Sequence, residues 1–584
     1  MPAILWPLKT AEFALSISTD TRQQIWHRIE RQVLARIAAW PEKAVHMALV
    51  LAFSVWVVVD VLFLGVTGGL AQTTYDAMVR GRLFAPALDD RIVIIDIDEA
   101  SLARMAKEFG RWPWPRDTLA SVLDFVESQQ PAAVVWDIVF SDLDRLNPGG
   151  DAAFDAAVKR SAHSHFGVVR LPIENDDKSE LTQNNLKTLW AAPAAATNLS
   201  TLALIPPALP AITEKSLGFN NGYVDHDGVL RRYRNFEKLS DGGVIQSLPM
   251  SVSQSVDAST YDFWLSHFEQ EKGKLDTEHA TSGDVLINWR KKANLYPRVN
   301  FADVFAKAEG DQPKADVPSM QGKIVIIGAT APSLHDIHPT PLSTSQAGVD
   351  TLATGIDNVL HRRVMYELPK WLAACVAVLL CSVISWWSYR TSVSRLSQAM
   401  VALPGVLMGV SFISLHSGSF FIDLHLSAAL AVLYLALLKA WFAARKRYWC
   451  GEVVQSPDQA LAVWACELDQ PWTDDEVNAV MACLQSHAPS ARVVLLDTSP
   501  TDSNLLVWKP FANALAIVAD QSVLVHAKAK LDECLQALHA RSLALQLVAP
   551  AQDALHLRQL IAHTALQAWA TLRNQPFISP MESL

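Results

Sequence analysis

The sequence predicts an α/β domain with a mainly parallel sheet, one membrane helix before it and three after, then a small α/β domain. Three observations carry this. Apolar runs lie at Ala44–Leu64 and, crowded together, at Trp371–Tyr389, Ala399–Leu415 and Phe420–Leu438. Lys and Arg gather on one side of those runs. The polar segments between and after them hold short, continuous β-branched runs separated by helix-like stretches.

Composition bounds the rest. The chain has 584 residues, room for two or more domains. It is 50% hydrophobic with a mean hydropathy of +0.16, high for a wholly soluble protein. A net charge of −10 argues against a nucleic-acid partner, which would call for a basic patch. The six cysteines are Cys375, Cys381, Cys450, Cys466, Cys483 and Cys534. None lies between Ala71 and Pro369, so that segment holds no disulfide, and no pair has the C-x-x-C spacing of a zinc site. The four beyond Cys381 are expected to pack rather than react. No metal and no cofactor is expected.

A spanning helix needs about 20 apolar residues. Trp371–Tyr389 has no charge, Ala399–Leu415 sits in an uncharged stretch from Leu396 to Ile422, and Phe420–Leu438 has Asp423 near its start. Ala44–Leu64 carries Asp60 and begins too far in for a cleavable signal peptide. Arg22, Arg28, Arg31, Arg36 and Lys43 precede the first run. Arg390 and Arg395 separate the second and third, and Lys439, Arg445, Lys446 and Arg447 follow the fourth. The Leu415–Phe421 link has neither Lys nor Arg. Four spans with both termini cytoplasmic satisfy these charges, whereas Arg80, Arg82, Arg362 and Arg363 run against them. The expected division is a cytoplasmic segment 1–43, a membrane helix 44–70, an extracytoplasmic domain 71–369, three spans within 370–442 and a cytoplasmic domain 451–575. Asp60 lies inside an apolar run, where a carboxylate is expensive. The sequence offers it His416, Ser411, Ser414 or His425, or water near the interface.

In the large domain the strand-like runs are Arg91–Asp96, Ala132–Asp137, Phe166–Leu171, Val285–Trp289 and Lys323–Gly328. Continuous apolar runs suit strands covered on both faces. Asp117–Ser128 and Asp151–Ser161 follow turn or cap signals and read as covering helices. Gly348–Leu360 reads as a helix leading toward the second span, with Pro369 breaking it, and Leu181–Pro210 as an irregular excursion. Ligands of open α/β sheets gather beyond the carboxyl ends of the strands. Those ends carry Asp96, Asp98, Asp137 and Gly328. Asp225, Asp227 and Arg231 in VDHDGVLRR join the candidate binding residues, as do Asp336, Thr340 and Pro341 in HDIHPTPL. The ordinary role of such aspartates is to cap helices and close turns. In Arg111–Arg116 (RWPWPR) the prolines exclude a central strand. Trp112, Trp114 and Arg116 form either a packed strand-to-helix corner or a pocket wall.

These stretches carry a resemblance. RIVIIDIDEASL, RWPWPR and AAVVWDIVF, then SLGFNNGYVDHDGVLRR, VLINWR, and QGKIVIIGATAPSLHDIHPTPL followed by AGVD, resemble the type 2 CHASE domain, a bacterial extracytoplasmic sensor module. The likeness runs from about Thr74 to Arg363. It implies one span before the domain and three after, a multi-pass protein of the bacterial inner membrane, and an unidentified periplasmic ligand. It also implies an output on the cytoplasmic side, in such receptors a cyclase or a kinase.

The last 134 residues, from Gly451, carry 14 acidic and 7 basic residues and one glycine. Strand-like runs are Leu461–Leu468, Ala491–Leu496, Asn504–Trp508, Leu515–Val518, Val523–His526 and Leu543–Val548. Helix-like runs are Asp474–His487, Ala529–His539 and Gln552–Leu572. No phosphate-cradling glycine loop, kinase motif set or ordered pair of cyclase carboxylates is present. Asp497 in LLDTSP reads as a turn or cap. The expectation is a receptor-like protein in a lipid bilayer whose non-catalytic cytoplasmic domain contacts a protein partner, with a homodimer expected by analogy. A diverged cyclase or kinase and an envelope scaffold are the alternatives.

Overall fold

Four of the five continuous apolar runs of the large domain become strands of one sheet. The computed structural model describes residues 36–37, 40–66, 68–192, 201–239, 243–271, 284–293, 295–363, 365–367, 370–391, 393–417, 420–449, 460–495, 513–548 and 554–573. Arg22, Arg28, Arg31, Pro369, Cys450, Asp497 and the run Asn504–Trp508 lie outside the described residues. The chain divides into two compact units, one of residues 58–376 with 406–426, the other of 1–57, 377–405 and 427–584.

In the first unit the elements run β1 Ile92–Ile97, α1 Glu99–Phe109, α2 Arg116–Ser128, β2 Ala133–Trp136, α3 Pro148–Arg160, β3 Ser164–Arg170, β4 Ser216–Phe219, α4 Leu248–Val256, β5 Arg298–Asn300, α5 Phe301–Ala308, β6 Ile324–Ala329 and α6 Gly348–Leu360. The strands pair in parallel in the order β5-β1-β6-β2-β3-β4. Leu204–Ile205 adds an antiparallel edge on β3. Side chains alternate between faces along each strand. Val93, Ile95 and Ile97 pack with Met105, Leu119, Phe154 and Phe301 from α1, α2, α3 and α5. Ile92 and Ile94 pack with Leu248 and Val252 of α4 and Leu352 and Ile356 of α6. With both faces covered, β1 and β2 are buried throughout.

The sequence reading needs three corrections here. Val285–Trp289 is not a strand of the main sheet: only Asp284–Leu286 is extended, paired antiparallel with Arg232–Arg234. The sheet edge is instead β5, three residues whose polar Arg298 and Asn300 gave no apolar run. Within 181–210 the described residues include the short strands Trp190–Ala192 and Leu204–Ile205.

Among the described residues, four helices are long and apolar enough to cross a membrane: Glu42–Val59, Trp371–Tyr389, Arg395–His416 and His425–Lys446. The first does not continue to residue 70. It ends in a wider turn at Asp60–Leu64, Gly65 takes a left-handed φ of 62°, and Gly68–Arg80 starts a separate helix. The Asp60 carboxylate is buried and accepts the Val66 N–H at 2.9 Å, closing that break. His416 and Ser411, two of its expected partners, bond Leu83 and Leu424 instead. The fourth helix starts at His425 rather than Phe420. Phe420–Phe421 is extended and pairs in parallel with Tyr366–Glu367.

In the second unit, His46 and Tyr434 of two apolar helices meet at 2.6 Å. The C-terminal domain has four strands in the order Arg492–Leu495, Ala514–Asp520, Leu461–Glu467, Arg541–Leu547, all neighbours antiparallel. With helices Asp474–His487 and Gln521–Ala537 this is a split β-α-β arrangement. Val523–His526 is not a strand; it lies inside Gln521–Ala537, whose N-cap Asp520 accepts the Ser522 N–H at 2.9 Å. One face of the sheet packs on these two helices together with Trp449 from the end of the helix His425–Trp449. The other packs on Ala554–Leu572 through Leu557, Ile561, Ala565 and Trp569. Cys466 is buried in this core, where burial raises its thiol pKa.

Gly218 of β4 tests the closeness of α4. A Cβ there would stand 2.3 Å from the Leu248 nitrogen and 2.4 Å from its Cα, backbone atoms that cannot swing aside. Gly218→Ala is expected to cost about 1–3 kcal/mol, the usual range for overpacking. Thermal unfolding of the full chain in detergent checks this.

Candidate functional site

Two constellations gather the polar residues that the sequence singled out. The first lies at the carboxyl ends of the strands, on the face covered by α6. Asp96 follows Ile92 and Ile94 in alternation and so faces α6, as Asp137 follows Ala133 and Val135. Asp96 accepts from Thr330 Oγ1 at 2.6 Å and from Arg298 at 3.2 Å, and Arg298 reaches on to Asp350 of α6 at 2.8 Å. Burial raises the Asp96 pKa against the pull of Thr330 and Arg298. Between them, Gly328 lets α6 start close to the strands. A Cβ there would meet Val349 Cγ2 at 2.8 Å and Asp137 Cβ at 2.9 Å.

Asp137 accepts the Asn220 side-chain N–H at 2.6 Å, and Asn220 accepts the Tyr233 hydroxyl at 2.7 Å. Its Oδ2 is enclosed without a hydrogen-bond partner. Burial, reinforced by the Asp336 carboxylate, pushes its pKa up to about 7, against the Asn220 hydrogen bond and His338. His338 lies 3.6 Å from Asp336, whose carboxylate raises the imidazole pKa. Acids at the start of α6 also meet the positive end of its dipole.

The remaining candidates are engaged structurally. Asp98 caps α1, accepting the Ser101 N–H at 2.7 Å. Trp112 and Trp114 meet edge to face at 4.9 Å, and Trp114 is buried on Phe301. Arg116 pairs with Asp151 and bonds the Asp142 carbonyl. RWPWPR is a packed corner, but it joins helix α1 to helix α2 rather than a strand to a helix. Thr340 Oγ1 donates to Gln346 at 2.8 Å and accepts from Leu342 and Ser343, which shapes its own loop.

The second constellation centres on Arg231 and Arg232. Arg231 is 2% exposed and forks onto both oxygens of Asp76 at 2.9 and 2.7 Å. It also bonds Asp225 at 2.9 Å and Asp227 at 2.8 and 2.7 Å. Its neighbour Arg232 bonds Asp225 at 2.7 Å and Glu367 at 2.8 Å. Asp76 lies on the helix Gly68–Arg80 after the first apolar helix, and Glu367 on the strand just before the second. The DHDGVLRR turn thus clasps both segments. Burial works against the Arg231 charge, and Asp227, Asp76 and Asp225 more than reverse it.

Further arginines extend the clasp. Buried Arg82 bonds Asn288 at 2.6 Å, the Trp289 carbonyl at 2.5 Å and the Leu415 carbonyl at 3.0 Å. Arg80 bonds the Pro341 carbonyl at 2.9 Å. Arg290 and Arg363 share Asp357, itself fully buried at the end of α6. Sequence reading missed Asp76, Asp357 and Glu367. For Asp357 the signal was available in Arg363, an arginine that ran against the expected orientation and needed a partner, whereas Asp76 and Glu367 answer Arg231 and Arg232.

Residues 49–387 match the model of the CHASE2 domain. The chain belongs to the CHASE2 family. CHASE2 is a sensory extracellular domain family of signalling receptors. The match begins inside the first apolar helix and ends inside the second, so it takes in both ends of the clasp. No curated protein and no solved structure matches the chain.

Arg231→Ala leaves Asp76 buried without its counter-charge and is expected to cost about 3–5 kcal/mol. Asp76→Ala combined with it should cost clearly less than the sum of the two single changes. Thermal unfolding of the four full-length proteins in detergent measures this coupling.

Asp137 gives a pH dependence. Its carboxyl titrates near pH 7 in the fold against an ordinary 3.8, so folding takes up a proton between those values. The associated stability is complete below pH 4 and lost as pH rises through 7. Asp137→Asn is expected to raise the unfolding temperature at pH 8 and to leave it unchanged at pH 4.

Proposed function

We propose that the chain is a bacterial inner-membrane receptor in which a periplasmic CHASE2 domain biases a four-span bundle and, through it, a cytoplasmic domain. Both termini lie in the cytoplasm in this reading. The observation that carries it is the double arginine clasp. A stimulus that shifts the CHASE2 core moves Arg231 and Arg232 together, and with them Asp76 after the first span and Glu367 before the second. Asp225 bridges the two arginines, so neither can be displaced alone.

The output in this reading is contact with a protein partner, not catalysis. Support comes from the C-terminal domain's sequence, which has a single glycine at its border and no nucleotide motif. Both faces of its sheet are occupied by helices, so a partner would use its edges or outer helix surfaces.

The test uses the full chain. Cross-linking in native membranes is expected to capture a cytoplasmic protein on residues 460–573. Arg232→Glu should change that yield at unchanged abundance, and Arg232→Glu combined with Glu367→Arg should restore it. Turnover of ATP or GTP by the purified full chain would overturn the non-catalytic output.

A further inference from the structure

After the helix Gly68–Arg80 the chain passes along the end of the third apolar helix, Arg395–His416, and four consecutive residues meet it in turn. A Cβ on Gly81 would stand 3.8 Å from Phe412 Cε2. Arg82 bonds the Leu415 carbonyl at 3.0 Å. The Leu83 N–H donates to His416 Nε2 at 2.9 Å, and the Phe84 ring meets the His416 ring edge to face at 6.1 Å. His416 Nδ1 is spent on the Phe412 carbonyl at 2.7 Å, so the imidazole is bonded at both nitrogens. The backbone just beyond is anchored as well, because the Pro86 and Ala87 carbonyls accept from Arg290 at 3.0 and 2.7 Å. Leu83 and Phe84 therefore form a tip held on both sides.

The place of His416 sets the depth of that tip. The uncharged stretch of the third apolar helix starts at Leu396. From there to His416 is about 30 Å at the α-helical rise, the thickness of a bilayer's hydrocarbon core. His416 thus stands at the rim of the apolar layer, on the CHASE2 side. Val406, Val410 and Ile413 are exposed and follow one face of this helix at i, i+4 and i+7. His416 neighbours Ile413 on that surface at i+3. At this level Leu83 and Phe84 turn outward, 69% and 75% exposed, while Arg82 before them is buried. Single exposed apolar residues are ordinary. Two in a row on an anchored tip, at the head of an apolar stripe, meet what the stripe meets.

We propose that Leu83 and Phe84 insert into the leaflet next to the CHASE2 domain, at the boundary between headgroups and acyl chains. The partner is the lipid surface itself, held by the domain in addition to its spans. Apolar side chains reach about 5–10 Å into that boundary, and aromatic rings gather there. Arg82 ties the tip inward to Asn288 and the Trp289 carbonyl, so a change in leaflet packing has a direct route to the domain's core. The insertion rests on the third apolar helix spanning a bilayer and not on the receptor reading.

The experiment is photo-cross-linking of the full chain in phosphatidylcholine nanodiscs, read by mass spectrometry. The photoreactive analogue p-benzoylphenylalanine replaces Phe84, Leu83, Ile413 or Leu146, one at a time. At Phe84 it keeps an aromatic ring on His416; at Leu83 it keeps the backbone bond, so either variant serves if the other fails to fold. Irradiation at Leu83 or Phe84 is expected to shift the chain by the mass of one phospholipid. Ile413 is the lipid-facing reference and gives the same shift. Leu146, 97% exposed in the loop after β2, is the water reference and gives none. A lipid adduct at Ile413 with none at Leu83 or Phe84 would overturn the insertion and keep the span. No adduct at Ile413 either would overturn both. A cross-link from the tip to a second copy of the chain in place of lipid would make it a dimer contact and overturn the leaflet site, as would equal lipid yields at Phe84 and Leu146.

Discussion

A buried guanidinium, Arg231, and its half-buried neighbour Arg232 set the terms for the rest of the CHASE2 domain. A buried charge must be paired and hydrogen-bonded or it unfolds its surroundings. Arg231 is almost cut off from water and Arg232 largely so, and together they draw acids from three separate stretches of chain to one place. One acid follows the first apolar helix, one precedes the second, and two come from the turn that carries the arginines. The chain's entry to the domain and its exit are thereby fixed by one electrostatic condition.

Helix α6 links that condition to the sheet. Its first turn meets the strand ends around Asp96 and Asp137, and its last holds Asp357 between Arg290 and Arg363. Gly328 and Gly348 bring it close; a Cβ on Gly348 would stand 2.4 Å from an Asp336 oxygen. The helix is thus pressed against strands at one end and salt-bridged at the other. The pairing of Tyr366–Glu367 with Phe420–Phe421 adds the link between the third and fourth apolar helices to the same assembly.

The central strands were legible in the sequence because burial on both faces writes a continuous apolar run, as in Ile92–Ile97 and Ile324–Ala329. Helix α6 was legible to the residue. The edge strand β5 was not, since Arg298 and Asn300 spend their side chains on Asp96, Asp350 and Asp98. Val523–His526 looked extended because four residues cannot distinguish the two periods; the Asp520 cap before it was the missing cue. At the candidate site, DHDGVLRR was recognisable as unusual, but its meaning depended on Asp76 and Glu367, each more than a hundred residues away along the chain. The four arginines that ran against the orientation expected from the sequence, Arg80, Arg82, Arg362 and Arg363, are all bonded within the first unit.

Trp449 has a practical bearing on how the protein can be divided. It closes the helix His425–Trp449, yet its side chain belongs to the core of the C-terminal domain, 2% exposed among Trp464, Val477 and Leu531. A fragment begun only after the helix ends, beyond Trp449, would lack the tryptophan and keep the hole, a loss of about 3–5 kcal/mol on the usual scale for such truncations. The natural boundary of the C-terminal domain therefore runs inside a helix, and a soluble version would have to carry the helix's last turns with it.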